Sequence, residues 1–205
     1  LAHPSFVKPL TNYIIDDFKK SRRTLNDPTI GGMVVCSSSE QARAIFKEIN
    51  DAHAEIKSAL ILCDEDDKET RRNHRNEFKQ GNIDILVVYN MLLTGFDAKR
   101  LKKLYLNRVV KDHNLLQTLT RVNRPYVSKT HTHKYGYVVD FADIQNEFDK
   151  TNAEYLRELQ EELGDEWGKY SSLFKSKEEI ENEIKEIKEK LFYYDIENAE
   201  RFSEQ

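Results

Sequence analysis

The chain has 205 residues, a formal net charge of -4 at pH 7 and two cysteines, Cys36 and Cys63. Its length allows one α/β domain with a helical extension, and both cysteines lie in apolar runs without metal-ligand spacing, which predicts a reducing setting and no structural metal. Because the sequence has no apolar run of the roughly 18 residues that span a membrane and no signal-peptide pattern, we expect a soluble, cytoplasmic protein.

The charge is divided unevenly along the chain. Residues 141–205 carry 9 basic and 19 acidic side chains, whereas residues 1–140 carry 23 basic and 17 acidic ones. The mildly basic part is suited to meeting phosphate groups, but an acidic tail is repelled by the DNA backbone.

Hydrophobic periodicity predicts alternating helices and strands over residues 1–145. Apolar residues at helical spacing indicate a first helix over residues 6–20. Short apolar runs predict five strands, at residues 33–36, 59–63, 83–88, 104–106 and 137–140. Since helical patterns separate most of these runs, we expect a parallel sheet with helices on both faces.

The composition changes to that of acidic helices from Asp143 onward. Ile180, Ile184, Ile187 and Leu191 recur at helical spacing among Glu and Lys residues. We expect this stripe to pack against a neighbouring helix, with a partner-binding coiled coil as the alternative.

Polar loops follow the first and third predicted strands. Ser37–Ser39 precede a helical pattern, and Thr94–Asp97 place Gly95 beside a hydroxyl and a carboxylate. Ligands of parallel sheets bind beyond the carboxyl ends of the strands, so we expect these two loops and the segment before Asn114 to share one edge. Helix capping by the serines and an ordinary turn at Gly95 are the alternatives.

Two further patterns invite a metal interpretation. The acidic run 64–67 imitates a metal-binding motif of ATPases, but the sequence contains no Gly-x-x-x-x-Gly-Lys-Ser/Thr motif to bring a nucleotide. His131 and His133 have no ligand partners nearby in the sequence, which favours loop residues over metal ligands. We therefore predict no metal site.

The most informative stretch is a helix that ends in two arginines. Gln117, Arg121 and Arg124 fall on one helical face, opposite an apolar face, and Pro125 follows at once. Two guanidiniums one turn apart are suited to phosphate oxygens. The alternative is that these cations only stabilise a helix end, where the dipole favours positive charge.

Two blocks of sequence resemble a known family. The segment LVVYNMLLTGFDAKRLKKLYLNR at 86–108, followed by HNLLQTLTRVNRPY at 113–126, resembles the second RecA-like domain of the motor (R) subunit of type I restriction enzymes. The resemblance covers about residues 30–145 and depends on the order and spacing of both blocks. It implies a RecA-like motor domain at 1–145, with its entry helix, and a helical region at 146–205.

The resemblance also implies roles for individual residues. Gln117, Arg121 and Arg124 match the motif whose arginines face ATP phosphates held by the other motor domain, and Gly95 and Asp97 match the motif that meets the nucleotide sugar. Arginines in such positions stabilise charge during phosphoryl transfer. Many helicases have glycine where Thr120 stands, which leaves the backbone geometry there open.

The expected DNA contacts and partners follow from the same resemblance. Thr94 matches a segment between nucleotide and DNA backbone, and Ser37 and Ser38 match a motif that touches a DNA strand. The implied partners are double-stranded DNA and the methyltransferase and specificity subunits of a type I restriction complex. ATP and Mg²⁺ would be bound mainly by the first motor domain.

The resemblance implies that essential parts lie outside these residues. The chain starts at Leu1 rather than at a methionine, and we expect a fragment of a longer subunit whose nuclease and first motor domain lie upstream. The fragment alone is expected to be inactive. Alternatives are the motor domain of another superfamily-two DNA helicase or remodeller, and a non-catalytic α/β interaction module.

Overall fold

A computed structural model of the chain describes residues 2–62, 68–91, 96–129 and 131–164, together with residues 182, 185 and 186. The chain divides into two compact units, Leu1–Ala153 and Glu154–Gln205. In chain order the described elements are α1 (Pro4–Thr24), β1 (Gly31–Val35), α2 (Ser39–Ala52), β2 (Ser58–Ile61), α3 (Lys68–Gln80), β3 (Ile85–Val88), β4 (Leu101–Leu106), α4 (Asp112–Val122), β5 (Tyr126–Val127), β6 (Thr132–His133), β7 (Tyr137–Asp140) and α5 (Gln145–Leu163).

The main sheet has the order β2-β3-β1-β4-β7 within the described residues, and each strand is parallel to its neighbours. The strand that comes first in the chain is central, with Val35 level with Val88 on one side and Leu106 on the other. The α/β class predicted from the sequence, a parallel sheet flanked by helices, is confirmed.

Successive residues of the central strand face two separate hydrophobic cores. Met33 and Val35 belong to the core that includes Phe78 of α3 and Leu115 of α4. Val34 belongs to the core formed with α1 and α2. This alternation is what a strand covered on both faces requires, and it explains why the strand is apolar throughout.

The predicted strands agree with the structure except at their ends. Strand β4 begins at Leu101, three residues before the predicted start, because two lysines there are buried rather than exposed. Helix α1 is longer than the predicted 6–20. The acidic run 64–67 lies outside the described residues.

A short antiparallel hairpin between α4 and β7, formed by β5 and β6, was not predicted. The expectation that His133 is a loop residue is wrong, since it lies in β6 and is buried. Its Nε2 atom lies 2.7 Å from the carboxylate of Asp27, and the ring of Tyr126 stacks on its imidazole. The hairpin is thus anchored to the loop that follows α1.

The C-terminal unit is described mainly through α5. This helix spans Gln145–Leu163 and carries an ion pair between Arg157 and Glu161 one turn apart, while the predicted boundary between a motor domain at 1–145 and a helical region at 146–205 stays a prediction. The predicted stripe Ile180, Ile184, Ile187 and Leu191 lies outside the described residues. Among the helices that the structure describes, none is both long and apolar enough to cross a membrane.

Candidate functional site

Helix α4 presents its two arginines at its carboxyl end. Leu115 and Val122 are buried in the core and Gln117 is exposed, so the predicted apolar and polar faces are confirmed within the helix, whereas the expectation that Arg124 shares the helical face is wrong because α4 ends at Val122. Arg121 lies in the last turn and is half-buried, and Arg124 follows the helix and is exposed. We call residues 121–124 the arginine end of α4.

Each arginine of this segment contacts the loop that precedes β4. The Nη1 atom of Arg121 donates to the main-chain oxygen of Phe96. The Nη1 atom of Arg124 lies 2.7 Å from Oδ1 of Asp97, and these two side chains are 46% and 54% exposed. The structure therefore brings three predicted site residues together, in a place open to solvent.

The electrostatics of the arginine end favour an additional anion. Burial lowers the pKa of Arg121, the nearby positive charge of Arg124 lowers it further, and Asp97 opposes both effects. Guanidinium groups remain charged in proteins even when their pKa is lowered. Two cations that repel each other lie beside the carboxylate of Asp97 here, and a phosphate group placed beside them would relieve the repulsion further.

The arginine end lies at the amino end of the sheet rather than at the carboxyl end. The chain leaves β3 at Val88 and runs back to start β4 at Leu101, which is level with Gly31, the first residue of β1. Asp97 belongs to this returning segment. The expectation that it shares one edge with Ser37–Ser39 is therefore wrong, because those serines follow the carboxyl end of β1.

Ser37 and Ser38 are used by the start of α2. The side chain of Ser38 caps the helix by accepting from the main-chain nitrogen of Gln41 at 3.1 Å. The main-chain nitrogen and the hydroxyl of Ser37 donate to the buried side-chain oxygen of Gln41 at 2.7 and 2.9 Å. Helix capping, which was the alternative interpretation of these serines, is confirmed for Ser38. The predicted contact of the serines with DNA stays a prediction.

Three predicted site residues are less defined by contacts. Thr94 and Gly95 lie outside the described residues, so their assignments stay predictions. Gln117 is exposed, and its main-chain oxygen accepts a hydrogen bond from the hydroxyl of Thr120 at 3.1 Å. The threonine at this position is therefore accommodated within an intact helix.

Sequence reasoning did not identify what holds the arginine end. Lys102 in β4 is fully buried, and its Nζ atom donates to the main-chain oxygens of Val122, at 3.1 Å, and of Arg124. Gly136 directly precedes β7, and its main-chain nitrogen donates to the side-chain oxygen of Asn123 at 3.3 Å. The available signal was a pair of lysines between Leu101 and Leu104 of β4, since a buried ammonium group requires acceptors.

Another arginine shows what a structural role looks like in this protein. Arg100 is 5% exposed and donates to the main-chain oxygens of Thr29, Phe78 and Ile83 at 2.7 to 2.8 Å. Its guanidinium also lies over the Phe78 ring, 4.8 Å from the centroid. Arg124 differs from Arg100 by its exposure and by its position beside a carboxylate.

The part of the chain that the structure describes contains no group of three His, Cys, Asp or Glu side chains arranged to hold a metal ion. The donors gathered at the arginine end are cationic and suit a phosphate rather than Mg²⁺. The described residues at the arginine end therefore fit the anionic portion of a nucleotide.

A family model described as "Type I restriction enzyme subunit R domain 3" (T1R_D3-like) matches residues 35–143. A provisionally named MjaVIIP endonuclease subunit of a type I restriction enzyme from Methanocaldococcus jannaschii is 37% identical over 127 residues, which cover 58% of this chain and 11% of that protein. The HindI endonuclease subunit from Haemophilus influenzae is 31% identical over 121 residues, which cover 56% and 11%.

A corresponding subunit from Staphylococcus aureus, SauCOLORF180P, is 40% identical over 78 residues, covering 38% of this chain and 8% of that protein. The chain thus spans about a tenth of the length of these relatives. Among solved structures, domain 2 of the DEAD-box helicase Mss116p, bound to an RNA duplex, aligns with a TM-score of 0.49 at 11% identity, covering 67% and 50%.

The helicase domain of Hef from Pyrococcus furiosus aligns with a TM-score of 0.48 at 17% identity, covering 74% of this chain and 28% of that one. Both scores lie below 0.5, and the fold assignment rests on the strand order and the helices of this chain.

Proposed function

Because the chain belongs to the family of type I restriction enzyme R subunits, matching their domain 3 over residues 35–143, we propose that it is the second motor domain of an ATP-driven DNA translocase. In this proposal it forms one wall of a nucleotide site whose other wall belongs to the first motor domain of the same subunit. If a nuclease domain and a first motor domain precede it in the sequence, a second motor domain is the third domain of the subunit.

The observation that carries this proposal is the exposed pair of Arg124 and Asp97, with Arg121 beside it. An arginine that only stabilises a fold is expected to be buried against main-chain oxygens, as Arg100 is. Arg124 instead keeps nearly half of its side chain in solvent and has a partner that a stronger anion can replace.

The residues of this chain would act by charge and position. ATP supplies the phosphoryl group whose transfer to water releases the energy for movement. Arg121 and Arg124 would stabilise the negative charge that develops on the phosphate oxygens, and Asp97 would hold Arg124 until the two domains close. Gln117 lies four residues before Arg121 on α4 and is exposed to solvent, where it would orient water or phosphate.

Contacts of Ser37 and Ser38 with double-stranded DNA belong to the other end of the sheet in this proposal. Ser37 and Ser38, at the amino end of α2, and Thr94 are the residues we assign to a DNA strand, consistent with the helix N-terminus offering main-chain N–H groups to phosphate. The methyltransferase and specificity subunits of a type I restriction complex would be the protein partners, and cleavage would follow translocation.

The test is DNA-stimulated ATP hydrolysis by the full-length subunit. Arg124→Ala and Arg121→Ala should each lower kcat by about a thousandfold or more, as expected for arginines that act on a phosphoryl transition state. Arg23→Ala is the matched control, since Arg23 is exposed at the end of α1 and should leave kcat unchanged. Normal ATP hydrolysis by both α4 variants would refute the proposal.

A second measurement addresses the incomplete site. Residues 1–205 alone should neither hydrolyse ATP nor bind it tightly, because the ligands for Mg²⁺ and for most of the nucleotide are assigned to another domain. Tight ATP binding by this fragment would require a complete site within it and would contradict the proposed division of labour.

A further inference from the structure

Lys102 occupies an unusual position for a lysine. It is fully buried in β4, next to the central strand, at the amino end of the sheet where the arginine end of α4 lies. Lysine is rarely buried to this extent without partners that satisfy its ammonium group.

The partners of Lys102 are two carbonyl groups of the arginine end. Its Nζ atom donates to the main-chain oxygens of Val122 and Arg124. The last carbonyls of a helix have no intrahelical donor, and Pro125 supplies no N–H group with which the chain could continue the pattern. Lys102, which lies in the sheet, therefore supplies the N–H donors that these main-chain oxygens lack within the helix. Its positive charge is also favoured by the negative end of the helix dipole.

The neighbouring lysine gives an internal comparison. Lys103 is also buried, at 5% exposure, but it points to the opposite face of the sheet and pairs with the carboxylate of Asp17 at 2.6 Å. No charged neighbour affects the pKa of Lys102 among the described residues, and its burial lowers that pKa. One lysine is thus held by an acidic side chain, and the other holds a helix end.

We propose that Lys102 is a positioning residue for phosphoryl transfer, which fixes the main chain of residues 122–124 and thereby the points from which Arg121 and Arg124 extend. This inference rests on the proposed function of the two arginines. Lys102 does not touch the nucleotide in this arrangement. It acts through the two carbonyl groups that set the path of the chain between the arginines.

The first test compares Lys102→Met with Lys103→Met in the full-length subunit. Methionine keeps the unbranched shape and removes the charge and donors in both cases. Because a shift of about 1 Å in a catalytic group can lower the rate by about a hundredfold, Lys102→Met should lower kcat for DNA-stimulated ATP hydrolysis by about 10 to 100 times. The KM for ATP should stay within about twofold, as expected when only transition-state contacts are lost.

Lys103→Met should leave both parameters within about twofold of the wild type, provided that urea titration confirms folding. Equal kcat values for the two methionine variants would overturn the inference, because loss of a buried cation would then have no specific effect at the arginine end. If Lys102→Met does not fold, Lys102→Gln is the substitute, because it retains N–H donors. Its kcat should be below that of the wild type, by a smaller factor than the loss expected for Lys102→Met. A folded Lys102→Gln variant with unchanged kcat, when Lys102→Met cannot be measured, would equally overturn it.

The second test asks whether Lys102 acts through the arginines. In single-turnover measurements, Lys102→Met should cause a smaller further loss of rate when Arg124 is already alanine than it causes in the wild type, since only Arg121 is then left to position and residues that act as a unit are not additive. A full additional loss in the double variant would contradict the positioning role. If Arg121→Ala and Arg124→Ala both retained normal activity, the proposed function would fail, whereas inactive arginine variants beside a fully active Lys102→Met would overturn only the inference about Lys102.

Discussion

The Nε2 atom of His133 lies 2.7 Å from the Oδ2 atom of Asp27, and the contact joins positions 106 residues apart. Asp27 is fully buried and also accepts from the main-chain nitrogen and the hydroxyl of Thr29 at 2.8 and 2.6 Å. The pair ties the β5–β6 hairpin, which directly follows the arginine end, to the loop after α1.

Asp27 should make the protein less stable in acid. Burial alone raises the pKa of Asp27, but hydrogen bonds from Thr29, Ser128 and His133 together outweigh it and hold the pKa below its ordinary value of 3.8. The unfolded chain therefore binds this proton more tightly than the folded one, so the contribution is present above about pH 4 and is lost as the pH falls below it.

Replacing Asp27 by Asn should lower the free energy of unfolding at pH 7 by about 1.5 to 3 kcal/mol, the usual contribution of hydrogen bonds to a charged group. It should also flatten the dependence of stability on pH between 5 and 3. Urea titrations across this range measure both effects. A variant whose stability falls with acid as steeply as that of the wild type would contradict the assignment.

The Arg124–Asp97 pair should contribute little to stability. Both side chains are about half exposed, and ion pairs of this kind contribute about 0 to 1 kcal/mol. Arg124→Ala and Asp97→Asn should therefore leave the urea midpoint nearly unchanged while the ATP hydrolysis of the full-length subunit falls. A large loss of stability in either variant would favour a structural role for the pair.

Gly136 should tolerate no side chain. A Cβ atom there would lie 2.2 Å from the main-chain oxygen of Val122 and 2.3 Å from its Cγ1 atom. Gly136→Ala should therefore cost about 1 to 3 kcal/mol of stability, as over-packing does, and should displace the arginine end. Urea unfolding and ATP hydrolysis measure the two consequences, and wild-type values in both would show that the chain at 136 can move away freely.

Cys36 should be unreactive in the folded protein. It is fully buried at the end of β1, and burial raises the pKa of its thiol to about 12, so the reactive thiolate is scarce at neutral pH. Iodoacetamide labelling followed by mass spectrometry of the Cys36 peptide should give slow modification in buffer and rapid modification in urea. Fast labelling of this peptide in buffer would contradict the described packing.

Hydrophobic patterning predicted the fold well because β1 and β3, in the middle of the main sheet, are buried on both faces. The runs around Val34, Leu60 and Val87 are apolar throughout, and helical spacing separates them. The β5–β6 hairpin escaped prediction because each of its strands has two residues, too few to show a period. Its position depends on the distant carboxylate of Asp27, which no local pattern records.

The sequence predicted which residues belong to the candidate site, but it did not predict which of them contact each other. The spacing of Arg121 and Arg124 placed both at one end of a helix, and the structure agrees. The meeting of Arg124 with Asp97 depends on a segment that returns along the full length of the sheet, and the role of Lys102 depends on main-chain oxygens, which have no signature in the sequence. The path of the chain in the folded protein, rather than the type of residue, determined both the Arg124–Asp97 pair and the contacts of Lys102.

The order of the sheet also constrains how the chain can fold as it is synthesised. Strands β1 and β2 are made first but do not touch, because β3, made later, lies between them. Until residue 88 has emerged, both edges of β1 have unpaired main-chain groups and its faces are apolar, and direct pairing with β2 would exclude β3 from its place. The connection through α2 must therefore keep β1 and β2 from pairing with each other. Of the strands in the main sheet, β1 has the longest stretch of chain to be synthesised before both of its neighbours, β3 and β4, are complete.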